Sequence, residues 1–191
     1  MDRTAIVIAA GGEARRMGGN KPARLLAGKR LIDHALAFAM RPGGPVAVSA
    51  NAPIAGVDVP HLPDTTPGVG PISALASSMD FAAAQGCGTV LMIGCDMPFL
   101  PADLLPWLLA VLPGYGAALP ESGGRLHTMA GLWRVDQAAL ADYIAAGGQS
   151  LWGFAERAGL VRVSWPEGPF ANLNSPADLA AAEARLTTPA R

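Results

Sequence analysis

Cysteine is nearly absent from this chain. Cys87 and Cys95 are the only two, with neither Cys-x-x-Cys spacing nor nearby histidines. A structural zinc site needs clustered thiolate or imidazole ligands, so none is expected, and two reduced thiols suit a cytoplasmic protein. Charge is also scarce. Asp, Glu, Lys and Arg make up 15% of the residues and the formal net charge is −1. Binding to nucleic acid rests on a basic excess, so a polynucleotide partner is not expected. Long hydrophobic runs are missing as well. Gly, Pro or Asp breaks every apolar stretch well short of the roughly 20 residues of a membrane span. The apolar run at residues 5–10 is too short for a signal peptide, and the segment before it, with Asp2 and Arg3, is no basic n-region. No membrane contact is expected.

What is present suits one globular domain over residues 1–191, with 51% apolar residues to build a core. Short β-like runs alternate with helix-length amphipathic segments. Strands are expected at residues 5–10, 46–50, 89–94, 129–133 and 160–165. Helices are expected at residues 31–40, 72–84, 101–112, 135–146 and 151–158. Pro42-Gly43-Gly44 and Glu121-Ser122-Gly123-Gly124 read as surface turns. The last helix announces its start: Ser175 as N-cap, Pro176 at the first helical position, and Asp178 at the third. The alternation predicts an α/β three-layer sandwich with a mostly parallel sheet.

In such sheets, ligands bind at the carboxyl ends of the strands. The loop after the first strand holds Gly11, Gly12, Gly18 and Gly19 together with Arg15, Arg16 and Lys21. Glycine-lined amides beside clustered cations describe a polyphosphate cradle. A solvated turn is the plainer alternative. Gly12 and Gly18 stand one residue too far apart for GxxxxGK[ST], and GxGxxG is missing. Asp96, just past the apolar run 89–94, is the second anchor. A carboxylate there either forms a turn or holds Mg²⁺, a hard ion that takes one or two carboxylates plus substrate phosphates. Cys95 as a nucleophile, with His34, His61 or His127 as base, is a weaker reading than a small packed residue. His34 reads as packing or surface, and the four tryptophans read as core. In Asn172-Leu173-Asn174, two amides either cap the following helix or face a ligand across the cleft. Spacing alone leaves these two readings open.

Taken together, these segments resemble a known family. IAAGGEARRMGGNK is similar to the LAGGxxxRMGxxK signature of nucleotidyltransferases with a Rossmann-like fold. With GPISALAS from Gly70, CDMPFLP from Cys95 and NLNSPADL from Asn172, the chain resembles the molybdenum cofactor guanylyltransferases, the MobA family. The resemblance implies transfer of GMP from GTP to molybdopterin, with release of pyrophosphate and with Mg²⁺ as cofactor. It implies transient contacts with proteins that donate or accept the molybdenum cofactor. It assigns Ala9, Ala10, Gly11, Gly12 and Lys21 to the nucleotide phosphates, and Arg16 to the triphosphate or reacting groups. Asp64, Gly70, Ser49 and Asn51 fall on the nucleotide side, and Asp96 on the metal. His127, Asn172 and Asn174 fall on the acceptor side. Thr128 stands where the family often has Pro, and Ser49 where guanylyltransferases can carry Asn. The runner-up reading is cytidylyl transfer to the same acceptor. A nucleotide- or cofactor-binding protein without turnover is the alternative outside enzymes.

Overall fold

The structure is a computed structural model, which describes residues 3–11, 20–63 and 70–187. Strand β1 (Thr4–Ala9) leads through a short 3-10 turn (Lys21–Ala23) into a small hairpin, β2 (Leu25–Leu26) and β3 (Lys29–Arg30). Helix α1 (Leu31–Ala39), β4 (Val46–Ser49), β5 (His61–Leu62), α2 (Pro71–Ala84), β6 (Thr89–Gly94) and α3 (Leu104–Val111) follow. Then come β7 (Ala117–Ser122), β8 (Arg125–Leu126), β9 (Ala130–Arg134), α4 (Gln137–Ala145), α5 (Leu151–Ala158), β10 (Leu160–Ser164) and α6 (Pro176–Thr187).

The main sheet runs in the order β10-β7-β9-β6-β1-β4-β5, with β8 hydrogen-bonded to β7. Strand β1 lies at its heart, parallel to both β4 and β6. Alternation along β1 builds the layers. Ile6 and Ile8 point into one core with Ile32 of α1 and Leu104 and Leu108 of α3. Ala5, Val7 and Ala9 point into the other, with Ile72, Leu75 and Met79 of α2 and Phe154 of α5. Strand β6 divides in the same way, Leu91 and Ile93 against Val90 and Met92. Two-faced burial explains why these strands read as continuous apolar runs. The result is the expected three-layer α/β sandwich.

The sheet is mostly parallel, as expected, with β9 and the short β8 as its reversed strands. Strand β9 runs antiparallel to both of its neighbours, β6 and β7. Strand β7 was hidden by Pro120, a residue that weakens any strand reading. Pro120 sits where β7 passes from β9, last paired at Ala118–Leu132, to β8, first paired at Glu121–Leu126, and its carbonyl accepts the His127 N–H at 2.8 Å. The turn is therefore only Gly123-Gly124, both in the left-handed region (φ +54° and +71°), as a two-residue hairpin loop requires. Glu121 and Ser122 belong to β7. Of the tryptophans, Trp133 is core, whereas Trp107 and Trp152 are 55% and 53% exposed.

Helix α6 is capped as its sequence promised. The Ser175 hydroxyl accepts the Asp178 N–H at 3.1 Å. Ala182 of this helix packs with Leu173, Leu26 and Leu31, a small third core that ties the C-terminal segment to the β2–β3 hairpin.

Gly116 sets how closely α5 approaches β7. A Cβ there would overlap the Ala158 carbonyl oxygen and stand 2.7 Å from the Ala158 Cβ. Backbone cannot yield as a flexible side chain can. Gly116→Ala is expected to cost about 1–3 kcal/mol of stability. Urea unfolding measures this, with activity per folded molecule unchanged.

Candidate active site

The carboxyl ends of β1, β4 and β6 are stitched together one residue past their strands. The Cys95 N–H donates to the Ala9 carbonyl at 3.0 Å, and the Ala10 N–H to the Ser49 carbonyl at 2.8 Å. Asp96 is thereby held just outside the sheet, beside the start of the glycine-rich loop. Its Oδ2 accepts from Lys21 Nζ at 2.5 Å, and the same ammonium donates to Asn174 Oδ1 at 2.7 Å. Three residues from distant segments thus meet at one point. Lys21 and Asp96 are only 18% and 15% exposed, so water screens the pair weakly.

Each member is positioned locally. Lys21 opens the 3-10 turn, where Asn20 adopts φ +47° and Pro22 is buried. Leu173 is buried in the third core, and its N–H donates to the Asp96 carbonyl at 2.9 Å. The flanking Asn172 and Asn174 are exposed. The Asn174 N–H donates to Asp178 Oδ2 at 2.8 Å. That bond, followed by the Ser175 hydroxyl, holds the Asp178 carboxyl below its usual range. Sequence reasoning missed Gly94. A Cβ there would stand 2.5 Å from Asp96 Oδ1, so the missing side chain makes room for the carboxylate. A glycine closing an apolar strand just before an acid was the available signal.

Two cavities flank this point. The first, about 440 Å³, is lined by Ala10, Gly11, Lys21, Ala50 and Asn51 among others. The second, about 340 Å³, is lined by Ser122, Arg125, His127, Phe170, Asn172 and Asn174 among others. The hydrogen bond between Lys21 and Asn174 joins the two.

Several expected residues stand elsewhere. Ser49 is 1% exposed and lies inside the sheet, so its side chain is enclosed and Asn51, two residues on, lines the cavity instead. Ala9 is packed in the core and gives its carbonyl to Cys95. Gly70 starts α2 at φ +76° and lies on the wall of neither cavity. Gly12, Arg16 and Asp64 lie outside the described residues. Burial, and then the neighbouring Asp96 charge, push the Cys95 thiol up to about 12, so no thiolate nucleophile forms there. His34 bonds the Leu26 carbonyl at 2.9 Å, and His61 accepts the Ile54 N–H at 3.0 Å. His127 stacks on Phe170 with ring centroids 4.8 Å apart, and its Nε2 lies 2.8 Å from the Ser122 hydroxyl.

No group of three or more His, Cys, Asp or Glu side chains converges among the described residues. The fit to a hard divalent ion rests instead on Asp96 Oδ2 and Asn174 Oδ1, two oxygens that already share one cation. Completing such a shell with substrate phosphates and water matches the habits of Mg²⁺.

The model of the MobA-like NTP transferase domain matches residues 6–160. The molybdenum cofactor guanylyltransferase of Cereibacter sphaeroides is 44% identical over 187 residues, covering 94% of this chain and 95% of that protein. The one from Rhodobacter capsulatus is 39% identical over 189 residues, covering 96% of this chain and 97% of that protein. In fold, the chain is similar to the crystal structure of molybdopterin-guanine dinucleotide biosynthesis protein A from Archaeoglobus fulgidus. The TM-score is 0.77 at 21% identity, over 96% of this chain and 98% of that one.

Gly94→Ala is expected to displace the Asp96 carboxylate from Lys21 and to lower kcat more than stability. Steady-state rates beside a melting curve on the same sample check this; a pure stability loss would assign Gly94 to packing. His127 gives a pH test. Burial, then the Arg125 charge, holds its pKa below the ordinary 6.5. The unfolded chain binds this proton more readily, so lowering the pH through 6.5 destabilises the fold. By NMR, the His127 midpoint should lie below 6.5 and rise in Arg125→Ala, yet stay below 6.5 because burial is the larger cause.

Proposed function

Because this chain belongs to the family of MobA-like NTP transferase domains, we propose that it transfers GMP from GTP to the terminal phosphate of molybdopterin and releases pyrophosphate. The chain is a nucleotidyltransferase. The observation that carries the reading is the Lys21 ammonium, held between Asp96 and Asn174 where two cavities meet. Transfer between two bound molecules needs such a junction. One main sheet that holds every strand except the β2–β3 hairpin, with α6 packed on that hairpin, supports reading the whole chain as one domain.

In this mechanism the first cavity takes GTP. Ala10 and Gly11 lie along its phosphates, and Asn51 faces the base. The family resemblance adds Gly12, Arg16 and Asp64 to that side. Lys21 passes its hydrogen bonds from Asp96 to the triphosphate. The second cavity takes the acceptor, with Asn172, Asn174 and His127 along it. An oxygen of the acceptor phosphate forms a bond to the α-phosphorus in line. The bond from that phosphorus to the α,β-bridging oxygen breaks, and its electron pair leaves with pyrophosphate. The attacking phosphate is already anionic at pH 7, so no general base is required. Positioning and charge stabilisation carry the rate. Asp96 and Asn174 would hold Mg²⁺, which supplies charge neutralisation at the phosphates when bound. GTP as substrate supports a cytoplasmic setting, and the product's onward use supports brief contacts with molybdenum cofactor donor or acceptor proteins.

The test is incubation with molybdopterin, Mg²⁺ and each nucleoside triphosphate in turn. GTP should dominate as donor; a dominant cytidylyl product would overturn the guanine assignment. Asp96→Asn should lower kcat by about 10²–10³-fold, as loss of a preorganised charge stabiliser does. Pyrophosphate release at the wild-type rate by the folded variant would remove Asp96 from the site.

A further inference from the structure

The second cavity holds more recognition chemistry than phosphate transfer uses. Arg125, on β8, and Glu167, in the loop after β10, both line it. Among the described residues, neither makes a hydrogen bond or an ion pair. Arg125 is donor-only and Glu167, when ionised, is acceptor-only. The hairpin turn is shaped around the carboxylate: a Cβ on Gly123 would stand 3.0 Å from Glu167 Oε1 and 3.3 Å from its Cδ. Phe170, 2% exposed, lines the same cavity beneath the stacked His127 ring, which leans only 22° from it. The Ser122 hydroxyl is already engaged with that ring. An aromatic surface thus lies beside one unpaired anion and one unpaired cation.

Asn174, which also lines this cavity, bonds Lys21, which lines the nucleotide side, so the reacting phosphate belongs beside Asn174. Glu167 and Arg125 are therefore left for the rest of the acceptor.

We propose that Glu167 and Arg125 are the specificity residues for the pterin ring of the acceptor, a refinement that rests on the acceptor reading above. A 2-amino-4-oxo-pteridine presents two neighbouring donors, the ring N3–H and the 2-amino group, next to the 4-oxo acceptor. The two oxygens of one carboxylate match the two donors, and a guanidinium N–H matches the oxo group. The His127–Phe170 stack offers the ring a flat apolar surface. A volume of about 340 Å³ is of the size that holds a small heterocycle. A 2-oxo ring keeps the N3–H but replaces the second donor with an oxygen, which leaves one carboxylate oxygen of Glu167 facing an acceptor.

The experiment compares 6-hydroxymethylpterin with its 2-oxo counterpart, 6-hydroxymethyllumazine, by calorimetric titration of the full chain. Wild type should bind the pterin more tightly by about 10–100-fold, the worth of a hydrogen bond to a charged group. Glu167→Gln should abolish that preference, and Arg125→Leu should weaken both pteridines. GTP affinity, unchanged in both variants, reports that they are folded. With molybdopterin, Glu167→Gln should raise KM and spare kcat. Equal binding of the two pteridines by wild type, or a preference that survives Glu167→Gln, overturns the proposal. Wild type that prefers the pterin yet forms no guanylylated product supports the recognition pair and refutes the guanylyl reading instead.

Discussion

One ammonium organises the functional end of this molecule. Lys21 Nζ lies 2.5 Å from a carboxylate and 2.7 Å from an amide oxygen. Those partners come from the end of the central sheet and from the threshold of the last helix. A mostly shielded carboxylate without its cation would leave a costly uncompensated charge. The pairing therefore draws three distant segments to one point. It also keeps the two anion-facing oxygens occupied by a positive charge, as the proposed chemistry requires.

Packing makes that point reproducible. Asp96 cannot drift, because Cys95 is hydrogen-bonded to Ala9 and Gly94 leaves the carboxylate its space. Asn174 is held from both sides. Leu173 is buried next to it, and Asp178 and Ser175 fix its backbone at the start of α6. The α6 cap thus does more than end a helix. It orients the acceptor side of the site through a backbone hydrogen bond, while the apolar contacts of Leu26, Leu31 and Ala182 hold the segment against the sheet.

The two cavities differ in chemistry, and the difference suits their proposed ligands. The first sets the small residues around Gly11 and Ala50 beside the Lys21 and Arg30 cations, a surface for phosphates and sugar. The second is built from side chains: an imidazole on a phenyl ring, a guanidinium and a carboxylate. The β7–β8 hairpin and the segment between β10 and α6 line the second cavity. The hairpin brings residues 122–127 to the same end of the sheet as Asp96, which suits an acceptor approaching from the side opposite the nucleotide.

Local chemistry was enough for part of this. Two-faced apolar runs disclosed β1 and β6, because a strand buried on both faces has no polar alternation to lose. Ser175-Pro176-Ala177-Asp178 disclosed the cap of α6, because capping acts within four residues. Asp96 stood out as a charge at a strand end, and Lys21 as a cation of the glycine-rich loop, in an apolar, charge-poor chain. Contacts between distant segments were beyond it. Strand β7 was masked by Pro120, which sits where β7 passes from its β9 ladder to its β8 ladder. The reversal of β9 depends on which strands end up adjacent. The resemblance set Ser49 on the nucleotide side, yet it is enclosed once β4 lies against β1. The convergence of Lys21 with Asp96 and Asn174, 75 and 153 positions away, is decided only when sheet and C-terminal helix pack. Residue type and short-range spacing determined which groups could do chemistry here; the tertiary structure decided which of them meet, because a hydrogen bond acts over three ångströms of space whatever the separation in sequence.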